Sequence, residues 1–178
     1  MDASEAVAGA RRAVVPGDLR RAASAFPRGV ALVTGARRLG LHVDTFIPVS
    51  LDPPLVAFSP SQRSLTWRRI RRAGRIGISV LGARHAPGLR ERARAGADSL
   101  AGLDLELADG IPVVRDALAV LLCSFEAEHR AGDHTIAVAR VLEVRHGTAG
   151  EALVFHRGAF GTVTFADDLP GVYRPPVD

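Results

Sequence analysis

The chain has 178 residues, 47% of them hydrophobic, with a formal net charge of +4, which suits one domain with a sizeable core. All 23 basic residues are arginine, which scarcely deprotonates, so the basic character reflects residue choice and does not mark a nucleic-acid-binding surface. The single cysteine, Cys123, excludes an internal disulfide framework and a cysteine-rich zinc site, and no apolar run approaches the ~20 residues of a membrane-spanning helix.

Taken in order, residues 1–16 read as a flexible leader without the apolar stretch of a signal peptide, so a cytoplasmic protein is expected. Asp18 is placed to cap a short amphipathic helix that puts Leu19, Ala22, Ala23 and Phe26 on one face. A first strand is predicted over Gly29–Thr34, with a hairpin turn at Ala36–Gly40. Phe46–Leu51 and Leu55–Phe58 read as strands broken by Asp52-Pro53-Pro54, because proline has no N–H to donate to a ladder. Ser64 or Thr66 can cap a helix that buries Trp67 and Ile70, turns Arg68, Arg69, Arg71 and Arg72 outward, and ends at Gly74.

A strand at Ile76–Leu81 and a charged helix at His85–Ala95 follow, then a short turn near Ser99–Gly102 and edge pieces at Leu103–Leu107 and Ile111–Val114. Two long strands, Ala117–His129 and Thr135–Arg145, meet at a turn through Gly132-Asp133. A last hairpin pairs Leu153–His156 with Phe160–Phe165, and residues 166–178 form an extended, proline-bearing tail. Many strands with turn signals and few helices predict a mainly β barrel over residues 17–165.

The stretch from His42 to Trp67 concentrates hydroxyls around two strand ends and a helix start. Such an end offers unpaired N–H groups and partial positive charge to a phosphate. Ordinary helix capping and turn chemistry use the same residue types, so composition leaves both readings open. Cys123, among Leu121, Leu122 and Phe125, reads as a small buried hydrophobe. The six histidines show no metal-ligand spacing, so no metal site is expected, and no G-x-G-x-x-G follows a strand.

Gly40 to Val56, GLHVDTFIPVSLDPPLV, resembles without a gap the flavin reductase family of small FMN-binding split β-barrels, whose members read close to GMTANSFTSVSLDPPLV there. Ser64-Leu65-Thr66-Trp67, Gly132-Asp133-His134-Thr135 and Phe155-His156-Arg157-Gly158 extend the likeness over roughly residues 18 to 163. The resemblance implies a split β-barrel homodimer that uses NADH or NADPH to reduce FMN or FAD and passes the reduced flavin to a partner monooxygenase. By the same resemblance, Asp44, Thr45 and Ser50 line the ring and its ribityl chain. Ser59, Pro60, Ser61, Ser64 and Thr66 cup the phosphate, while His134, His156 and Arg157 approach the nicotinamide cofactor.

Several positions depart from the family pattern. His42 stands for Thr, Asp44 for Asn, Ile47-Pro48 for a Thr-Ser pair, and Ala159-Phe160 for Arg-Tyr. Asn to Asp exchanges an amide donor for a carboxylate acceptor, which disfavours an electron-rich reduced flavin nearby. Three readings result: a flavin reductase with an altered pocket, a divergent paralogue in which His42 and Asp44 form an acid–base pair for another reaction, and a non-catalytic flavin-binding module.

Overall fold

The computed structural model describes residues 13–35, 39–95, 100–147 and 150–163. The leader up to residue 12, turn residues Ala36–Arg38, Ser99, Phe165 and the 166–178 tail lie outside the described residues.

Seven antiparallel strands form the main sheet: β2 (Ala31–Gly35), β3 (Leu39–Val43), β4 (Ile47–Leu51), β5 (Pro54–Phe58), β6 (Arg75–Val80), β9 (Ala119–Ala131) and β10 (His134–His146). Their spatial order is β3-β2-β6-β9-β10-β5-β4. β1 (Arg28–Gly29), β11 (Val154–His156) and β12 (Ala159–Gly161) make a second small sheet, and β7 (Leu105–Ala108) pairs with β8 (Ile111–Val114) as a hairpin. Among the described residues, three α-helices accompany them: α1 (Pro16–Ser24), α2 (Leu65–Ile70) and α3 (Ala86–Ala95).

The period of two along a strand divides the core between the sheet's faces. On β2, Ala31 and Val33 join one buried cluster with Val56, Phe58, Ile76, Ile78 and Cys123, whereas Leu32 joins the other with Val113, Leu122 and Leu153. α2 closes the first cluster by inserting Trp67 and Ile70, and Trp67 meets Phe58 edge-on at a centroid distance of 5.1 Å. Burying one such side chain contributes on the order of 2–3 kcal/mol. β8 covers the opposite face, where Val114 N donates to Ser79 Oγ at 3.0 Å and Thr34 Oγ1 donates to the Pro112 carbonyl. Gly77 permits this approach, because a Cβ there would lie 2.9 Å from Thr34 Oγ1 and 3.0 Å from Val113.

Four local expectations change. Leu39 and Gly40, expected in the hairpin turn, belong to β3, where they pair with Gly35 and Thr34 of β2. The first strand splits at Val30 because Arg28 and Gly29 pair with Phe155 and Val154 of β11, while Ala31 onward pairs with β3 and β6. The first helix starts at Pro16, which suits a first turn that needs no N–H donor, so Asp18 lies inside that turn and pairs with Arg21 at 3.0 Å without capping the helix. Its apolar face is not buried within the described residues: Leu19 is 62% exposed and Phe26, just beyond the helix, 70%. The long β9–β10 hairpin follows the predicted pattern, with register shifts at Val138/Ala139 and Val141/Glu143 that bend it.

Candidate functional site

The loop between β5 and α2 lies against the β9–β10 turn. Gln62 N donates to the Asp133 carbonyl at 3.0 Å, and Thr135 N donates to the Pro60 carbonyl at 3.0 Å. The Gln62 amide donates to the carbonyls of Gly132 (2.8 Å) and His134 (3.0 Å), and Ser61 forms a β-bridge with His134. Residues seventy or more positions apart are thereby fixed in one place, so the loop that carries Ser59, Pro60, Ser61 and Ser64 lies beside His134.

The hydroxyls of this loop are oriented by backbone donors. Thr45 Oγ1 accepts from Ser59 N (2.8 Å), Ser61 Oγ from Arg63 N (3.2 Å), and Ser64 Oγ from Trp67 N (3.1 Å). In each case the lone pair is engaged and the hydroxyl proton stays available to a ligand. Ser64, not Thr66, is the helix cap; Thr66 is buried on the inner side of α2. Ser50 is half-buried on the edge strand β4, next to a bulge between Pro48 and Ser50. His134 is exposed, with Nδ1 at 2.8 Å from Asp133 Oδ1, and this hydrogen bond holds the Asp133 carboxyl below its usual range.

A second constellation surrounds His42 and Asp44, which line a cavity of about 110 Å³ with Val30, Phe155 and Phe160. Each of the two has an arginine partner. Arg92, buried on α3, points Nη1 at His42 Nδ1 (2.9 Å) and donates through Nη2 to the Gly40 carbonyl (2.5 Å). Asp44 pairs with Arg28 at 3.0 Å, and the Arg28 guanidinium lies 6.0 Å from the Phe155 ring centre. Arg28 therefore offsets the carboxylate charge that sequence comparison set against a reduced flavin. One edge of the His42 ring stays open to solvent, but burial of the rest and the Arg92 charge lower its pKa, against an opposing pull from Asp44.

His156 and Arg157 occupy the exposed β11–β12 turn, with His156 beside a larger groove of about 440 Å³ that includes Pro27 and Phe160. Arg157 has φ 48° and donates its backbone N–H to the Ser24 carbonyl at 3.1 Å, so the turn docks on the end of α1. Burial pushes the Cys123 thiol up to about 12, as an inert core residue requires. Among the described residues, no three His, Cys, Asp or Glu side chains cluster as metal ligands.

Sequence reasoning missed Gln62, Arg28 and Arg92. Arg92 was read as part of a charged helix face, and nothing in its local pattern ties it to His42, fifty positions away. Gln62 sat inside the recognised loop, yet its partners across the β-turn exist only in the folded chain.

A family model described as the flavin reductase like domain matches residues 23–164. The chain belongs to the flavin reductase-like family. The FMN reductase (NADH) SmoA of Agrobacterium fabrum is 40% identical to this family member over 146 residues, covering 80% of the chain and 83% of the relative. The reductase subunit HsaB of a flavin-dependent monooxygenase from Rhodococcus jostii is 29% identical over 173 residues, covering 95% and 89%. Among solved structures, the NADH:FAD oxidoreductase SgcE6 of Streptomyces globisporus, in complex with NAD and FAD fragments, superposes with a TM-score of 0.76 at 31% identity, covering 88% of this chain and 98% of that one. The flavin reductase-like chain is thus a split β-barrel, as its strand pattern and motifs predict.

Proposed function

We infer that this chain is an NADH-dependent flavin reductase that takes FMN or FAD as its flavin and supplies the reduced form to a separate monooxygenase. The observation that carries the reading is the hydroxyl-lined loop fixed against the His134 turn, within a chain whose relatives include NADH-dependent FMN and FAD reductases. The residues present fit a flavin phosphate: Ser61 and Ser64 keep their hydroxyl protons to donate. Thr45 does the same next to Asp44, where the ring and ribityl chain would lie.

Bound flavin and nicotinamide supply the hydride chemistry themselves. The protein's part is positioning. Ser59, Ser61 and Ser64 anchor the phosphate; Asp44, Thr45 and Ser50 orient the ring side; His134 and His156 contact the nicotinamide, and Arg157 offers a charge for its phosphates. Asp133 fixes the His134 ring through Nδ1, which directs Nε2 outward as the contacting atom. His42, neutral at pH 7, presents an Nε2–H donor to the small cavity at the edge of Asp44.

We further propose that two copies assemble. Ile47, Val49 and Leu51 on edge strand β4 are 55%, 52% and 92% exposed, and Leu65 and Ile136 add apolar surface at 60% and 43%. A second copy of the chain covers such an edge, and sedimentation of the purified protein distinguishes a dimer from a monomer. None of the helices among the described residues is long and apolar enough to cross a membrane, and a cytoplasmic location accords with the leader's composition.

The deciding experiment is titration with FMN and FAD followed by stopped-flow mixing with NADH and with NADPH. Saturable flavin binding and bleaching of the flavin band by NADH are expected. Binding without reduction by either nicotinamide overturns the reductase reading and leaves a flavin-binding module.

A further inference from the structure

Beside the serine-rich loop lies a cavity of about 310 Å³ that none of the sequence motifs anticipated. Arg68, Arg71 and Arg130 line it, against one carboxylate, Glu128. Glu128 is already engaged: its Oε1 accepts from Trp67 Nε1 at 2.9 Å, and its Oε2 pairs with Arg71. Arg68 donates to the Gln62 carbonyl at 3.0 Å, which holds its charge at the back of the loop. Arg130, on the exposed end of β9, has no ion-pair partner among the described residues. Three guanidiniums facing one satisfied carboxylate make the cavity a seat for an anion, and guanidinium planes also stack on purine rings.

Two residues connect this cavity to the candidate flavin site. Gln62 belongs to both the loop and the cavity wall, and Thr135 lines the cavity immediately after His134. Successive strand residues point to opposite faces, so Thr135 faces the cavity while the His134 side chain lies on the other side of the strand. The His134 side chain is thus turned away from the arginines. The volume falls at the lower end of small-molecule sites, about 300–1,000 Å³, which suits a nucleoside monophosphate and not a whole dinucleotide.

We propose that this arginine-rimmed cavity receives the second, adenosine-bearing phosphate of a dinucleotide flavin, and so makes FAD a tighter ligand than FMN. The proposal rests on the reading that the 59–64 loop holds the phosphate nearest the flavin ring.

Calorimetric titration of the full chain with FAD, FMN and riboflavin tests it, using wild type, Arg130→Gln and Arg68→Gln. Arg71 is left in place because its removal would strand Glu128. The wild type should bind FAD more tightly than FMN. Each variant should weaken FAD about tenfold, the scale of one lost charge-assisted hydrogen bond, with FMN and riboflavin within about twofold of wild type, a margin well inside that tenfold step. Equal losses for FMN and FAD overturn the proposal by placing the ring-proximal phosphate in the cavity. Unchanged FAD affinity also overturns it, including the case in which only the KM for NADH rises, since the arginines would then serve the nicotinamide dinucleotide. Wild-type protein that binds neither flavin overturns the underlying loop reading and this proposal with it. Unaltered thermal unfolding midpoints in the two exposed-site variants confirm that any loss is local.

Discussion

Arg92 and His42 meet across the gap between helix α3 and strand β3, with Nη1 of the arginine 2.9 Å from Nδ1 of the histidine. Guanidinium has only protons to give, so Nδ1 must accept, and the remaining ring proton belongs on Nε2. A residue that sequence comparison marks as a departure from its family is therefore held neutral and in one tautomer.

This relationship predicts a titration. His42 should protonate below its ordinary value of 6.5, chiefly because of burial, and Arg92→Leu should move that pKa upward by removing a neighbouring positive charge while burial still holds it down. NMR titration of the imidazole signals checks it. In stability terms the sign is set by the lowered pKa. Above 6.5 the ring is neutral folded or unfolded; as pH falls below 6.5 the unfolded chain takes up the proton first, and stability declines until the folded ring also protonates. His42→Gln should flatten that part of the stability–pH curve.

Ser61 and Ser64 separate binding from folding. Ser64→Ala removes the α2 cap and should cost about 1 kcal/mol in urea unfolding as well as weakening flavin binding. The Ser61 hydroxyl accepts from a nearby loop N–H and caps no helix, so Ser61→Ala should weaken flavin binding about tenfold, as for one hydrogen bond to a charged phosphate. Its stability should change by less than about 0.5 kcal/mol.

Glu128 anchors the only tryptophan. Glu128→Gln keeps an acceptor for the Trp67 indole but loses the Arg71 ion pair, whereas Glu128→Ala leaves a buried N–H unsatisfied and should cost about 1–3 kcal/mol. Urea unfolding followed by Trp67 fluorescence should rank wild type above Glu128→Gln and Glu128→Ala lowest.

Helix α3 depends on a close backbone approach at Gly88. A Cβ there would stand 2.1 Å from the Gly102 carbonyl oxygen, a contact that only backbone movement relieves. Gly88→Ala should destabilise the fold by about 1–3 kcal/mol. Because α3 carries Arg92, the same variant should raise the His42 pKa, measurable in the same NMR titration.

Sequence alone determined most of the strand succession, though not β3 or the break at Val30, together with the burial of Trp67 and Ile70, the inert core position of Cys123 and the loop that carries Ser59, Ser61 and Ser64. These follow from local periodicity, proline and glycine punctuation and a contiguous motif, all of which are written along the chain. Only the tertiary structure decided who partners whom. It gave His42 to Arg92 and Asp44 to Arg28, fastened Gln62 to the His134 turn, and gathered Arg68, Arg71 and Arg130 around one cavity. A charged side chain on a solvated helix and one that crosses to another element have the same local sequence signature. The difference arises when strands distant in the chain are brought into register, and that register depends on packing across the whole sheet.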